Sequence, residues 1–188
     1  MLQDCTLGII GYGGIGKECA RIVSQGFGTR VIGMKRNPAT ADSEQMEFAD
    51  EIVDNGRMDY LLEQSDFILN ICPLVESTKD IFNKEFFAKM KDTAIFMNIG
   101  RGPSVVEEDL IEALKNGTIA GAFLDVFRQE PLPKDSPFWD LPNVYITPHA
   151  ANLTFDIADR SVATFATNTP LYVAGKELTN VVCKEQGY

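Results

Sequence analysis

The sequence is poor in the side chains that metal centres and disulfide frameworks need. It has one histidine and four cysteines, Cys5, Cys19, Cys72 and Cys183, in 188 residues. The cysteines are widely scattered, none in a CxxC pair, and no His/Cys cluster has metal-ligand spacing, so no metal site is expected and the thiols read as reduced. Basic residues are in deficit as well: 17 Lys and Arg stand against 27 Asp and Glu, for a net charge of -10. Nucleic acid and anionic membranes are bound through basic surfaces, so neither is an expected partner. Long hydrophobic runs are missing too. Met1-Leu2-Gln3-Asp4 carries no basic run, and the apolar stretch after it, Leu7-Gly8-Ile9-Ile10, is far too short to span a bilayer. A cytoplasmic protein is expected. What is present, 45% hydrophobic and 23% charged residues, is the composition of a globular chain with one sizeable core.

Strands and helices alternate along the chain. Leu7-Gly8-Ile9-Ile10 has the pattern of a short buried strand; after the glycines, Ile15, Cys19, Ile22 and Val23 fall at the 3-4 spacing of one helix face. Further strands are predicted at residues 31–34, 51–53, 67–71, 94–97 and 119–124. Between them lie helices at 58–64, at 84–90 capped by Asn83, and at 107–115 ended by Asn116-Gly117. Such alternation predicts an α/β fold, a doubly wound parallel sheet covered on both faces. Residues 128–148 are rich in proline and loop formers, and a helical pattern runs from beyond Asn152 to about Ala174.

Gly11-Tyr12-Gly13-Gly14-Ile15-Gly16 is a GxGxxG placed between the first strand and the first helix, the context a dinucleotide loop requires. Gly11 permits the turn, Gly13 lets backbone approach a pyrophosphate, and Gly16 lets helix and strand pack closely. The amides of Gly14 and Ile15 stand at the positive end of the helix dipole, where phosphate oxygens bind. At the end of the second strand, where a carboxylate would hold the ribose hydroxyls of NAD, the sequence has Met34, followed by Lys35 and Arg36. Nothing there repels a 2′-phosphate, and either cation can pair with one. NADP(H) is therefore favoured over NAD(H).

Three blocks follow later strands: Asn98-Ile99-Gly100-Arg101-Gly102-Pro103, then Asp125-Val126-Phe127-Arg128-Gln129-Glu130-Pro131-Leu132-Pro133, then Thr147-Pro148-His149. Loops after the strands are where ligands meet a doubly wound sheet. An arginine can hold a carboxylate, and an imidazole beside a carboxylate can give or take a proton. Trp139 and Cys72 read first as packing residues.

With the glycine loop and the Cys72-Pro73-Leu74 turn leading to Thr78, these blocks resemble the D-isomer-specific 2-hydroxyacid dehydrogenases, from about Leu7 to Val182. The resemblance implies a Rossmann-like fold and hydride transfer between nicotinamide and a small D-2-hydroxy acid or 2-keto acid. It implies that Arg101 binds the substrate carboxylate and carbonyl, that Glu130 pairs with His149, and that His149 is the acid-base group. Asp125 would hold the nicotinamide carboxamide. Cys72, Pro73, Thr78, Ile99, Gly100, Arg101, His149 and Ala151 would line the cofactor pocket.

Full-length members of that family carry a substrate domain that begins before the glycine loop and receives the C-terminal helix. Residues 1–188 are accordingly expected to form the dinucleotide-binding domain, with 151–188 a helical segment that docks on an absent substrate domain. Cofactor binding with little turnover and a homodimer are the expectations for such an excised or truncated chain. A second class stays open, a non-catalytic dinucleotide sensor or corepressor-like module, because fold alone does not fix function.

Overall fold

The computed structural model describes residues 1–184. The chain divides into two compact units, Met1–Pro148 and a second that starts at His149. In the first unit the order is β1 (Thr6–Ile10), α1 (Gly14–Phe27), β2 (Arg30–Met34), α2 (Ser43–Phe48), β3 (Glu51–Val53) and α3 (Met58–Gln64). There follow β4 (Phe67–Asn70), α4 (Lys84–Ala88), β5 (Ile95–Asn98), α5 (Glu107–Lys115), β6 (Gly121–Leu124) and β7 (Val144–Ile146). The strands form one parallel seven-stranded sheet in the order β3-β2-β1-β4-β5-β6-β7. The chain winds from β1 out to β3, then returns to place β4 on the other side of β1. That reversal makes a crevice at the carboxyl ends of β1 and β4, the usual ligand position in such sheets.

Burial explains the pattern of each strand. Every residue of β1 is buried, as a central parallel strand covered on both faces must be. On one side of the sheet a phenylalanine cluster fills the core, with Phe82 and Phe86 meeting edge to face at 4.8 Å and Phe87 and Phe96 at 5.4 Å. On the other side Leu7, Ile9, Tyr12, Ala20 and Val31 pack beneath α1.

The helix face expected for α1 is only half right. Gly16 and Ala20 are its buried residues, with Cys19 and Val23 packed beside them, while Ile15 and Ile22 are 65% and 50% exposed. Close packing of α1 against the sheet is made by small residues, and the bulky ones turn outward. Helix α2 has too few residues to show a period. Its signature is local: Asp42 accepts from the Gln45 amide at 2.7 Å, and the Gln45 side chain accepts from the Asp42 amide at 3.2 Å, a reciprocal cap. The predicted ends of α4 and α5 are found: Asn83 accepts from the Phe86 amide at 3.2 Å, and Gly117, past the end of α5, has φ +74.

The second unit holds α6 (Ile157–Val173), the helix expected there. Hydroxyls of Ser161, Thr164, Thr167 and Thr169 each donate to the carbonyl four residues earlier. Asn168 exchanges hydrogen bonds with the Thr179 backbone, at 2.9 and 3.1 Å, and so fastens the following chain back onto the helix. No helix among the described residues is long and apolar enough to cross a membrane.

Candidate functional site

The glycine loop leaves β1 with a rigid back and an open front. Gly11 has φ +98, and a Cβ there would lie 2.6 Å from the Cys72 amide nitrogen. No other residue fits. The amides of Gly11 and Tyr12 both donate to the Met34 carbonyl, at 3.3 and 2.8 Å, which ties the loop to the end of β2. Tyr12 is buried; its hydroxyl donates to the Gln45 carbonyl and its own carbonyl accepts from Gln45 Nε2, both at 2.9 Å. Burial, helped by the charge of Asp42, pushes the phenol up to about 12, so it stays a donor. Gly13 and Gly14 differ from Gly11: a Cβ at either would meet nothing within 4 Å. The amides of Gly14 and Ile15, in the first turn of α1, have no intrahelical acceptor. A helix start of this kind suits a pyrophosphate in sign, and Gly13 and Gly14 leave the space before it open.

At the end of β2 no carboxylate is present. Met34 is buried, and Lys35 Nζ donates to Gln45 Oε1 at 2.7 Å and to the Thr40 carbonyl at 3.0 Å. Lys35 is therefore a strut within its loop. Arg36 is the exposed cation of the pair.

Strands β4 and β5 both end on a buried asparagine, Asn70 and Asn98. Asn70 Nδ2 donates to Asn98 Oδ1 at 2.9 Å and to Ser104 Oγ at 3.0 Å, and Asn70 Oδ1 accepts from the Cys72 amide at 3.0 Å. Asn98 Oδ1 in turn accepts from the Gly100 amide at 3.0 Å, and Ser104 Oγ donates to the Arg101 carbonyl at 2.6 Å. One buried network thus fixes the Cys72-Pro73 turn against the loop that carries Ile99, Gly100 and Arg101. Pattern reading passed over Asn70 and Ser104; the available signal was a polar residue closing an apolar strand run, which must find partners when buried. Thr78 serves the same turn, donating to the Pro73 carbonyl at 2.6 Å and accepting from the Val75 amide at 2.9 Å.

Cys72 is buried, and its thiol donates to Asn70 Oδ1 at 2.8 Å. Burial pushes this thiol up to about 11, so it stays protonated and unreactive at ordinary pH. In the native chain at pH 8, Cys72 is expected to resist iodoacetamide while the half-buried Cys5 is labelled, read by peptide mass spectrometry. Labelling of Cys72 as fast as in urea would contradict its burial.

The next two loops interlock. A Cβ on Gly102 would lie 1.9 Å from the Phe127 carbonyl group, so only glycine passes there. Arg128 clasps the same crossing: its Nε donates to the Val105 carbonyl at 2.7 Å, and its guanidinium pairs with Asp80. Arg101 is exposed, its Nη1 donating to the Gly100 carbonyl at 2.7 Å. Glu130 is exposed as well, and its Oε1 accepts from the Phe127 amide at 2.9 Å. The Glu130–Pro131 peptide is cis. Asp125 is 1% exposed and its Oδ1 accepts from Thr147 Oγ1 at 2.5 Å.

The first unit therefore brings the glycine loop, residues 34–36, the Cys72 turn, Ile99 to Arg101, Asp125 and Glu130 onto the carboxyl edge of one sheet, each loop joined to the next. His149 and Ala151 belong to the second unit. There His149 is exposed, with φ +54, and Ala151 is exposed in a turn.

The family model "D-isomer specific 2-hydroxyacid dehydrogenase, NAD binding domain" matches residues 1–151. The glyoxylate/hydroxypyruvate reductase B of Klebsiella pneumoniae is 43% identical over 153 residues, 80% of this chain and 45% of that protein. Among solved structures, a D-isomer specific 2-hydroxyacid dehydrogenase from Xanthobacter autotrophicus, in complex with NADPH and MES, superposes with a TM-score of 0.89 at 31% identity. That match covers all of this chain and 74% of the other. An NADPH-dependent glyoxylate/hydroxypyruvate reductase from Sinorhizobium meliloti, in complex with NADP and sulfate, gives 0.88 at 38% identity, over all of this chain and 58% of the other. The chain spans about half the length of the curated relatives it matches. Sheet order, glycine loop and family match converge: the chain belongs to the D-isomer specific 2-hydroxyacid dehydrogenases, as their NAD(P)-binding domain.

Proposed function

We propose that this chain binds NADP(H) in preference to NAD(H), and that in the full-length protein it serves hydride transfer between nicotinamide and a small D-2-hydroxy acid or its 2-keto partner. The observation that carries this reading is the continuous rim of loops, from the open cradle before α1 to Asp125 and Arg101. Gly14 and Ile15 bind the pyrophosphate, and Gly11, Gly13 and Gly16 shape the loop that receives it. Ile99, Gly100 and the Cys72-Pro73 turn, braced by Thr78, line the cofactor pocket. Asp125 accepts a hydrogen bond from the carboxamide.

When bound, the nicotinamide supplies the hydride. Arg101 holds the substrate carboxylate and draws charge onto the carbonyl oxygen. His149 gives that oxygen a proton as C2 gains the hydride, and Glu130 serves the same acid-base chemistry. Residues 151–184 dock on the substrate domain; 185–188, the rest of the expected docking segment, lie outside the described residues. A homodimer belongs to the same reading, supported by the resemblance to the family.

The names of two structural neighbours include NADPH or NADP, and the end of β2 offers Arg36 and no carboxylate. Side-by-side titration with NADPH and NADH tests the preference. NADPH is expected to bind at least about tenfold more tightly, and Arg36→Ala to remove most of that difference, because a charge-assisted pair is worth about 1.5–3 kcal/mol. Tighter binding of NADH would overturn it.

A further inference from the structure

We infer that Thr147 is a positioning residue for the nicotinamide end of the cofactor: its hydroxyl holds the buried Asp125 carboxylate in the orientation that receives the carboxamide. The inference rests on the reading of Asp125 given above.

The carboxamide NH2 is a donor and needs an acceptor that is fixed in place. Asp125 serves as that acceptor once its carboxyl plane is set, and at 1% exposure bulk water does not set it. Thr147 Oγ1 donates to Asp125 Oδ1 at 2.5 Å, a short charge-assisted hydrogen bond.

The backbones that carry the two side chains are themselves fixed. The Asp125 amide donates to the Asn98 carbonyl and the Thr147 amide to the Leu124 carbonyl, both at 3.0 Å, and Leu124 pairs with Ile146 across β6 and β7. Thr147 is thus held beside Asp125 by strand register. Its branched Cβ also restricts the side-chain rotamer, which suits a residue whose task is to hold another still.

The test compares two ligands on the native chain and its variants: NADPH, and 2′-phospho-ADP-ribose, which is NADPH without the nicotinamide. Thr147→Val is expected to weaken NADPH binding about 3- to 10-fold, the scale of one typical hydrogen bond, with binding of the fragment unchanged. Thr147→Ser, which keeps the hydroxyl, is expected to bind both like the native chain. Fragment binding also reports that each variant is folded. If Thr147→Val weakens both ligands equally, or neither, the inference is overturned. Asp125→Ala separates the two layers of the argument. If it leaves the NADPH-to-fragment ratio unchanged, the reading of Asp125 itself fails; if it lowers the ratio and Thr147→Val does not, only the role of Thr147 fails.

Discussion

Gly13→Val is expected to cost at least about 100-fold in cofactor affinity, about 2.7 kcal/mol, while the melting temperature stays within about 2 °C of the native value. The two halves of that expectation come from one observation. A Cβ at Gly13 meets nothing within 4 Å, and the residue sits at φ -102, which any amino acid adopts, so the fold gives no reason for glycine. The ligand does. A pyrophosphate drawn against the amides of Gly14 and Ile15 needs the volume that a valine side chain would fill. Calorimetric titration with NADPH beside a thermal melt reads both quantities. A Gly13→Val chain that still binds NADPH within about threefold of native would place the phosphates elsewhere.

Gly102→Ala is expected to do the opposite, lowering stability by about 3 kcal/mol or more, a loss in the range of severe steric substitutions. For a chain of this length that is a fall in melting temperature of about 6–12 °C. The added methyl would stand 1.9 Å from the Phe127 carbonyl, and neither backbone is free to retreat. Phe127 is held by the Glu130 carboxylate on its amide and by packing of its ring against Phe138 at 5.8 Å, and Arg128 clasps the far side. The damage reaches Arg101 and Asp125, which stand on the two loops that meet there, so affinity should fall along with stability. A melt unchanged within about 1 °C would mean that the two loops separate without cost.

These contrasting glycines show how much of the protein was readable in its sequence. The β-α alternation and the GxGxxG identified the sheet and its cradle because both depend on local periodicity and backbone freedom. The ends of α4 and α5 were readable for the same reason, through Asn83 and Asn116-Gly117. What escaped depends on contacts between residues far apart in the chain. Asn70 and Asn98 are 28 residues apart and meet only because β4 and β5 are neighbours in the sheet. Ile15 and Ile22 have helical spacing, yet the choice of face was made by the close approach that Gly16 and Ala20 permit. Lys35 and Arg36 are equivalent in the sequence pattern, and only the fold brings Gln45, on a helix of six residues, against Lys35.

That engagement bears on any attempt to re-engineer cofactor choice. Tyr12, Gln45 and Lys35 form one bonded unit spanning the glycine loop and the loop after β2. Grafting an acidic residue at Met34 while replacing Lys35 would therefore disturb the diphosphate cradle as well as the adenosine ribose, and a switch toward NAD would arrive with weaker binding of both dinucleotides. A cleaner route leaves Met34, Lys35 and Gln45 in place and confines the change to the exposed Arg36.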